Sequence, residues 1–151
     1  MVCKVWCRFL AYGAIGWIME VVKTGATAAI VNRDRAATAR TYLWMLPIYG
    51  AGGLLLEKIA DLLHARRWPR PARVAAYLPA IYAVEAATGA ALRCLLRKCP
   101  WDYSSSKGLH LGGLVRLDYA PLWLAVGYLF EPVRALATAL APPVMARSSS
   151  R

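Results

Sequence analysis

The sequence predicts an all-α integral membrane protein built as a bundle of four transmembrane helices. Of its 151 residues, 59% are hydrophobic and 18% are charged, against roughly 25% charged in an average globular protein. The basic residues lie in clusters between apolar segments, as the cationic loops of membrane proteins do. Four apolar segments each approach the ~20 residues that cross ~30 Å of hydrocarbon. We therefore expect one transmembrane domain over residues 1–142 and a short polar tail over 143–151.

The predicted spans alternate with basic loops. Their boundaries, read from the apolar runs, are residues 5–23, 42–63, 74–96 and 117–140. Glu20 interrupts the first apolar run, which argues against a cleaved signal peptide. Because the basic residues are densest in the loop between the second and third spans, the positive-inside rule predicts that both termini are inside. The expected location is multi-pass in a membrane, the plasma (inner) membrane if the chain is bacterial.

The second and third spans carry features of helix bending and close packing. Pro47 removes a backbone donor and clashes with the preceding turn, so a helix there kinks or starts afresh, and we expect a kinked second helix. Tyr49 and Gly50 follow it in the sequence. Gly50, and Gly89 in the third span, would let a neighbouring helix approach closely.

The sequence CPWDYS, at residues 99–104, predicts an interfacial turn after the third span. Its residues are a helix-ending proline, two rings that suit the membrane interface and two capping side chains: Pro100, Trp101, Tyr103, Asp102 and Ser104. The following segment, 107–119, is apolar but too short for a span, and it contains Gly113. We expect a re-entrant or interfacial segment there, which is stable only when it is buried against protein.

Each predicted span contains a glutamate: Glu20, Glu57, Glu85 and Glu131. A carboxylate in mid-membrane costs roughly 3 kcal/mol even on insertion scales, so it should face protein or water. Glu85 has no charged neighbour within one helical turn, whereas Glu131 has Arg134. We predict an intramembrane polar site of Glu20, Glu85 and Glu131. Alternatively, the acids are protonated or paired with arginines and only fix the packing of the helices.

Composition and motifs exclude several other classes of function. The net charge of +11 lies at the ends of apolar segments, so anionic lipid headgroups, and not nucleic acid, are the expected partner. The four cysteines and two histidines lack the paired spacing of a structural zinc site, and no metal or cofactor is expected. The sequence also contains no phosphate-binding G-x-x-x-x-G-K-[ST] loop and neither a G-x-S-x-G elbow nor an H-E-x-x-H zinc helix.

Five motifs occur in an order and spacing that resemble a known family. They are GWIMEVV (16–22), TYLWMLPIYG (41–50), EAATG (85–89), CPWDYS (99–104) and GLVRLDYA (113–120). Over roughly residues 8–132 the chain resembles the CmpB-like ABC-transporter type IV family of bacterial membrane proteins. CPWDYS also resembles the vertebrate transmembrane protein 229 group. The matching positions are Trp17, Glu20, Pro47, Tyr49, Gly50, Glu85, Gly89, Trp101, Asp102, Tyr103, Ser104 and Gly113.

The resemblance implies a polytopic membrane protein, and a transporter- or permease-like subunit is our leading hypothesis. Without a phosphate-binding loop, its energy would come from a separate ATPase, another membrane subunit or an ion gradient. One alternative is a membrane-embedded enzyme acting on lipid headgroups, with Glu85 and Asp102 as the acid–base groups. Another is a non-catalytic assembly subunit. Whether the chain is an enzyme, which substrate it takes and whether it forms a homo-oligomer stay open.

Overall fold

The computed structural model describes residues 2–140, which form four long helices and a short β-hairpin. The elements are α1 (Val2–Ile30), α2 (Met45–Ala65), α3 (Arg70–Leu96), β1 (His110–Leu111), β2 (Val115–Arg116), a 3₁₀ turn (Leu117–Tyr119) and α4 (Ala120–Leu140). Each predicted span coincides with one helix, although α1 continues to Ile30 instead of ending near residue 23. The predicted polar tail, 143–151, lies outside the described residues.

Two of these helices are long and apolar enough to cross a membrane, namely Cys3–Ile30 and Arg70–Leu96. Only 11% of the most apolar window of each is buried inside the protein, so these helices turn their apolar surface outward. Large exposed side chains on them include Trp6, Ile18 and Leu95. α2 and α4 do not meet the same criteria of length and apolar composition. The structure is thus all-helical apart from the hairpin, with two candidate spans, and a four-span bundle is not confirmed.

Neighbouring helices run antiparallel, with α1 packed on α2 and α4, and α3 packed on the same two helices. The segments 31–44 and 97–119 meet at one end of the bundle, which we call the loop end; there Lys23 contacts Tyr119. The short connection 66–69 lies at the opposite end, which we call the turn end. Two long segments therefore cover the loop end, whereas the turn end has a single short connection.

The hydrophobic core fills the turn-end half of the bundle. Tyr77 of α3 is fully buried there, and its ring meets Phe130 edge to face at a centroid distance of 5.4 Å. Tyr12 of α1 stacks on the same phenylalanine at 5.9 Å. Small and branched side chains of α2 and α4, Leu56, Ala60, Leu63 and Ala137, complete the cluster.

α1 and α2 approach each other closely because glycines line both surfaces. A Cβ atom at Gly16 would lie only 2.5 Å from Cγ of Tyr49, and one at Gly50 would lie 2.8 Å from the Phe9 carbonyl oxygen. Neither position has room for a side chain. Small residues at helix contacts are the main means by which helices pack tightly in lipid.

Pro47 lies in the first turn of α2. It is the third residue of the helix, which starts at Met45. The first-turn N–H groups of a helix have no partner within the helix, so a proline there removes no helical hydrogen bond. The predicted kink in the second helix is therefore not confirmed.

The segment 107–119, expected to be re-entrant or interfacial, contains an antiparallel hairpin in which His110 pairs with Arg116 and Leu111 pairs with Val115. Gly112 and Gly113 have φ values of 56° and 71°, as the two central residues of a type I′ turn require. The Leu114 N–H donates to the Leu111 carbonyl at 3.0 Å and closes this turn. The hairpin was not predicted from the sequence, although a glycine pair between apolar residues is a signal of such a turn.

Candidate functional site

A cavity of about 190 Å³ lies at the loop end, and all four helices contribute to its wall. Its polar groups are Glu20 and Lys23 of α1, Tyr49 of α2, Glu85 and Thr88 of α3, and Tyr103 of the segment after α3. The rest of the wall is apolar or aromatic: Gly16, Met19, Met45, Ile48, Gly52, Leu56, Ala80, Ile81, Val84, Trp101, Leu122, Trp123 and Val126. The site therefore combines two carboxylates and one ammonium group with an apolar and aromatic wall.

Glu20 is held by the segment that follows α1. The Thr41 hydroxyl donates a hydrogen bond of 2.7 Å to Oε2 of Glu20. This segment is fixed to the helix because the Arg40 N–H donates to the Thr24 hydroxyl at 3.1 Å. Farther out, Asp34 accepts hydrogen bonds from the Ala36 and Thr38 N–H groups at 2.9 and 3.1 Å. One Glu20 oxygen is thus already occupied, and the loop end is ordered around it.

Glu85 is the less satisfied of the two acids. Its Oε2 atom is buried and has no hydrogen-bond partner among residues 2–140. The phenol of Tyr103 lies near it, and burial together with the Glu85 charge raises the pKa of that phenol. Tyr103 therefore stays protonated. A buried acceptor without a partner is costly, so Glu85 is the position where a donor or a cation would be stabilised most.

The 99–104 turn carries two rings into the cavity. Oδ1 of Asp102 accepts hydrogen bonds from the Ser104 N–H at 2.9 Å and from the Ser104 hydroxyl at 2.6 Å. The Tyr103 N–H donates to the Gly113 carbonyl at 2.9 Å, which ties the turn to the hairpin. A Cβ at Gly113 would lie 2.8 Å from Oδ1 of Asp102. Asp102 therefore bonds within the protein, to the residue two positions after it.

Trp101 and Tyr103 were expected at headgroup depth, and both lie on the cavity wall. Trp101 packs over Gly89, where an added Cβ would stand 3.4 Å from the indole nitrogen. Gly89 thus makes room for the ring. Asp102 itself does not line the cavity and is exposed.

Stacked charges and rings hold the hairpin over the loop end. The Arg116 guanidinium bonds the Asp118 carboxylate and lies 4.1 Å from the centre of the Tyr119 ring. The Lys23 ammonium lies 4.3 Å from the centre of the same ring. Such cation–π contacts are worth about 0.5–2 kcal/mol each. They connect α1, the hairpin and the start of α4 beside the cavity.

Glu131 does not line this cavity. Nε of Arg73 donates to Glu131 Oε1 at 2.7 Å, and the Arg73 Nη2 atom donates to Oε2 at 3.0 Å. Val126 is the last α4 residue on the cavity wall, and Glu131 lies more than one turn farther toward the turn end. The predicted three-glutamate site is therefore not brought together: Glu20 and Glu85 line one cavity, and Glu131 pairs elsewhere.

Three ion pairs form a turn-end cluster. Besides Arg73 with Glu131, they are Arg8 with Glu57 at 3.2 Å and Arg134 with Asp61 at 2.5 Å. Arg134, the expected neighbour of Glu131, thus bonds α2 instead. Sequence reasoning missed Arg73 because 58 residues separate it from Glu131, and no local spacing signals such a pair. Sequence reasoning also did not identify Thr41, which bonds Glu20, or Trp123, which lines the cavity, because no local sequence pattern marks either residue.

The metal-ligating side chains of residues 2–140 do not gather into a site. Within this range no three His, Cys, Asp or Glu residues are grouped so that they could hold a metal ion. The cysteines Cys3, Cys7, Cys94 and Cys99 are free thiols. The ionisable side chains on the cavity wall that can exchange a proton or pair with a charged ligand include Glu20, Lys23 and Glu85.

The chain matches the model of a protein family described as "Putative ABC-transporter type IV" over residues 7–145. This range includes all five motifs that carry the resemblance, and with them Glu20, Tyr49 and Glu85 of the cavity wall. No solved structure matches the chain. The resemblance to the vertebrate transmembrane protein 229 group stays a prediction.

Proposed function

Because the chain belongs to the ABC-transporter type IV family, we propose that it is a multi-pass membrane protein acting as a transporter- or permease-like subunit. Family membership supports a transporter-like role, and with the two apolar helices it indicates a membrane protein. In this proposal all four helices cross the membrane as one domain. The loop-end cavity is the polar site within them.

The observation that carries the proposal is the contrast between the paired and the unpaired glutamates. Glu57 and Glu131 each face an arginine, which is what acids that only fasten helices together need. The buried Oε2 atoms of Glu57 and Glu85 both lack a hydrogen-bond partner among the described residues. Unlike Glu57, Glu85 has no arginine beside it in that range to form an ion pair, and it lines the cavity. Intramembrane acids that face a cavity mark ion and small-solute pathways. We therefore assign Glu20 and Glu85 to the pathway and Glu131 to the scaffold.

The enzyme alternative receives less support from the geometry. It needs Glu85 and Asp102 to act on one headgroup, but Asp102 is absent from the cavity wall. Its Oδ1 atom is also engaged by both donors of Ser104.

The proposed partners follow from energy and charge. Because the sequence has no phosphate-binding loop, ATP-driven transport would require a separate ATPase subunit. At the turn end, Arg66, Arg67 and Arg70 follow one another closely. Such basic clusters attract anionic lipid headgroups by about 1 kcal/mol per residue. We propose the inner membrane, with the turn end facing the anionic leaflet.

The test is whether the cavity can be reached from both sides of the membrane. Thr88 lines the cavity, so Thr88→Cys in a chain whose four native cysteines are serine places one thiol there. A membrane-impermeant methanethiosulfonate reagent is added to right-side-out and to inside-out vesicles. A transporter-like subunit exposes its site alternately, so we expect labelling in both vesicle types.

The matched control is Ala60→Cys, because Ala60 is fully buried in the core and should stay unlabelled. Labelling of Thr88→Cys from one side only would contradict transport and favour an enzyme or a simple receptor site. A folded, inserted protein that is unlabelled from both sides would contradict the proposal in favour of an assembly subunit.

A further inference from the structure

We infer that the loop-end cavity binds a small monovalent organic cation, an inference that rests on the proposed function for the role of the site. Three properties of the cavity carry it: the balance of charge on its wall, the aromatic character of that wall and its size. Each is independent of the direction of transport.

When both carboxylates are ionised, the charged side chains on the wall leave one negative charge uncompensated. Glu20 and Glu85 face Lys23 alone, and the Lys23 ammonium is turned toward the Tyr119 ring. One Glu20 oxygen accepts a hydrogen bond from Thr41, while the buried Glu85 Oε2 atom has no hydrogen-bond partner among the described residues. Since charges interact strongly in a desolvated site, a monovalent cation beside Glu85 would restore neutrality. An anion would meet two carboxylates.

The aromatic wall favours an organic cation. Four aromatic residues line the same cavity as the two carboxylates, namely Tyr49, Trp101, Tyr103 and Trp123. The faces of such rings attract cations, tryptophan most strongly, and aromatic side chains recur where proteins recognise quaternary ammonium groups. The same rings and their aliphatic neighbours would also cover the apolar body of such a ligand. An apolar enclosure of this kind contributes nothing to binding a small hydrated ion.

The size of the cavity agrees with a ligand of a few heavy atoms. A cavity of about 150 Å³ is enough to hold benzene, and this one measures about 190 Å³. Hard metal cations need six or more oxygen ligands, and the two carboxylates with the Tyr49 and Tyr103 phenols fall short of that set. A methylated ammonium group fits the volume, the charge and the rings together.

The experiment measures binding to the purified full chain in non-ionic detergent by isothermal titration calorimetry. The probe is tetramethylammonium chloride, and the neutral isostere tert-butanol and sodium chloride of equal ionic strength serve as controls. We expect saturable binding of tetramethylammonium alone. Equal binding of tert-butanol, or no saturable binding of tetramethylammonium, would overturn the inference.

Variants locate the binding site. Glu85→Gln keeps the shape and removes the charge, so it should weaken binding about tenfold or more. Trp101→Phe should weaken binding less than Trp101→Leu, because phenylalanine keeps a π face. Asp61→Asn, an acid-to-amide change in the turn-end cluster, should leave the affinity unchanged. If Glu85→Gln and both Trp101 variants melt like the parent and bind like it, the cavity is not the site.

This result is separable from that of the labelling experiment. Two-sided labelling of Thr88→Cys without tetramethylammonium binding leaves the transporter role standing and overturns the organic-cation inference. If tetramethylammonium binding depends on Glu85 but Thr88→Cys is labelled from one side only, the organic-cation inference stands and the transporter role is contradicted.

Discussion

The carboxylate of Asp102 shows how a single residue organises the loop end. Hydrogen bonds from the Ser104 hydroxyl and the Ser104 N–H lower its pKa. The same oxygen lies against Gly113, whose carbonyl accepts the Tyr103 N–H. Asp102 thus fixes the turn that delivers Trp101 and Tyr103 to the cavity, although it does not enter the cavity itself.

We predict that Asp102→Ala lowers the melting temperature at pH 7. The difference in melting temperature between the wild type and this variant should become smaller in acid. The folded-state pKa is lowered, so the carboxylate stabilises the fold above its unfolded pKa of about 3.9. That contribution is lost as the pH falls through the folded pKa. Thermal melting, monitored by tryptophan fluorescence between pH 7 and pH 3, measures this difference in melting temperature.

The control for this prediction is Ser104→Ala, which removes the hydroxyl donor to the same oxygen. Because the two residues share one interaction, the double variant should lose less than the sum of the single losses. A gap between wild type and Asp102→Ala that stays constant or widens in acid would disprove the linkage.

Residues near one another in the sequence were predictable, and distant pairs were not. The Asp102–Ser104 turn follows from capping chemistry within three residues. The sequence shows no charged residue within one turn of Glu85, but it left open whether an arginine from another helix pairs with it. In contrast, the pairing of Glu131 with Arg73 joins two helices, and it depends on their relative rotation. No spacing along the chain encodes that rotation.

At the scale of elements, the contact between α1 and α2 depends on glycines on both helices. A Cβ at Gly16 would overlap the base of the Tyr49 side chain, whereas one at Gly52 would find only ordinary contact, 3.7 Å from Val84. The two glycines therefore differ in what they contribute, although both lie in helices.

We predict that Gly16→Ala destabilises the protein by about 1–3 kcal/mol, the usual cost of overpacking. Gly52→Ala is the matched control and should be neutral or stabilising, because alanine favours a helix by about 1 kcal/mol over glycine. Thermal melting in detergent compares the two. Equal melting temperatures of the two variants would show that the close approach at Gly16 is absent.

Helices were predictable as elements because long apolar runs leave few other structures in a membrane. The hairpin was not predicted, since two strands of two residues each carry almost no periodic signal. Its Gly112–Gly113 turn was the one local cue. The kink expected at Pro47 is not confirmed, because the effect of a proline depends on its position in the helix, and this helix starts two residues earlier.

At the scale of the molecule, the number of membrane crossings depends on how the charges of α2 are accommodated. Composition identifies α1 and α3 as candidate spans, while α2 carries Glu57, Lys58 and Asp61 near one end. The proposed four-span arrangement requires that the turn-end ion pairs partly neutralise such charges. The structure pairs Glu57 with Arg8 and Asp61 with Arg134.

We predict that reporters fused after Asp34 and Ser105 lie on one side of the membrane and that a reporter after Trp68 lies on the other. A reporter after Ser149, beyond the described residues, should agree with Trp68. The reason is that 31–44 and 97–119 share the loop end, while 66–69 forms the turn end. If the Asp34 and Trp68 reporters lie on the same side, α2 does not cross the membrane.

The most direct test of the central claim is a cross-linking measurement in membranes. Glu20→Cys and Glu85→Cys are combined in the chain without native cysteines, with a protease site inserted in 66–69. After treatment with a short bifunctional methanethiosulfonate and cleavage, we expect the two halves to stay joined, because both positions line one cavity. In the matched pair Glu20→Cys with Glu131→Cys, the halves should separate. Joined halves in the second pair and separated halves in the first would contradict a cavity shared by Glu20 and Glu85.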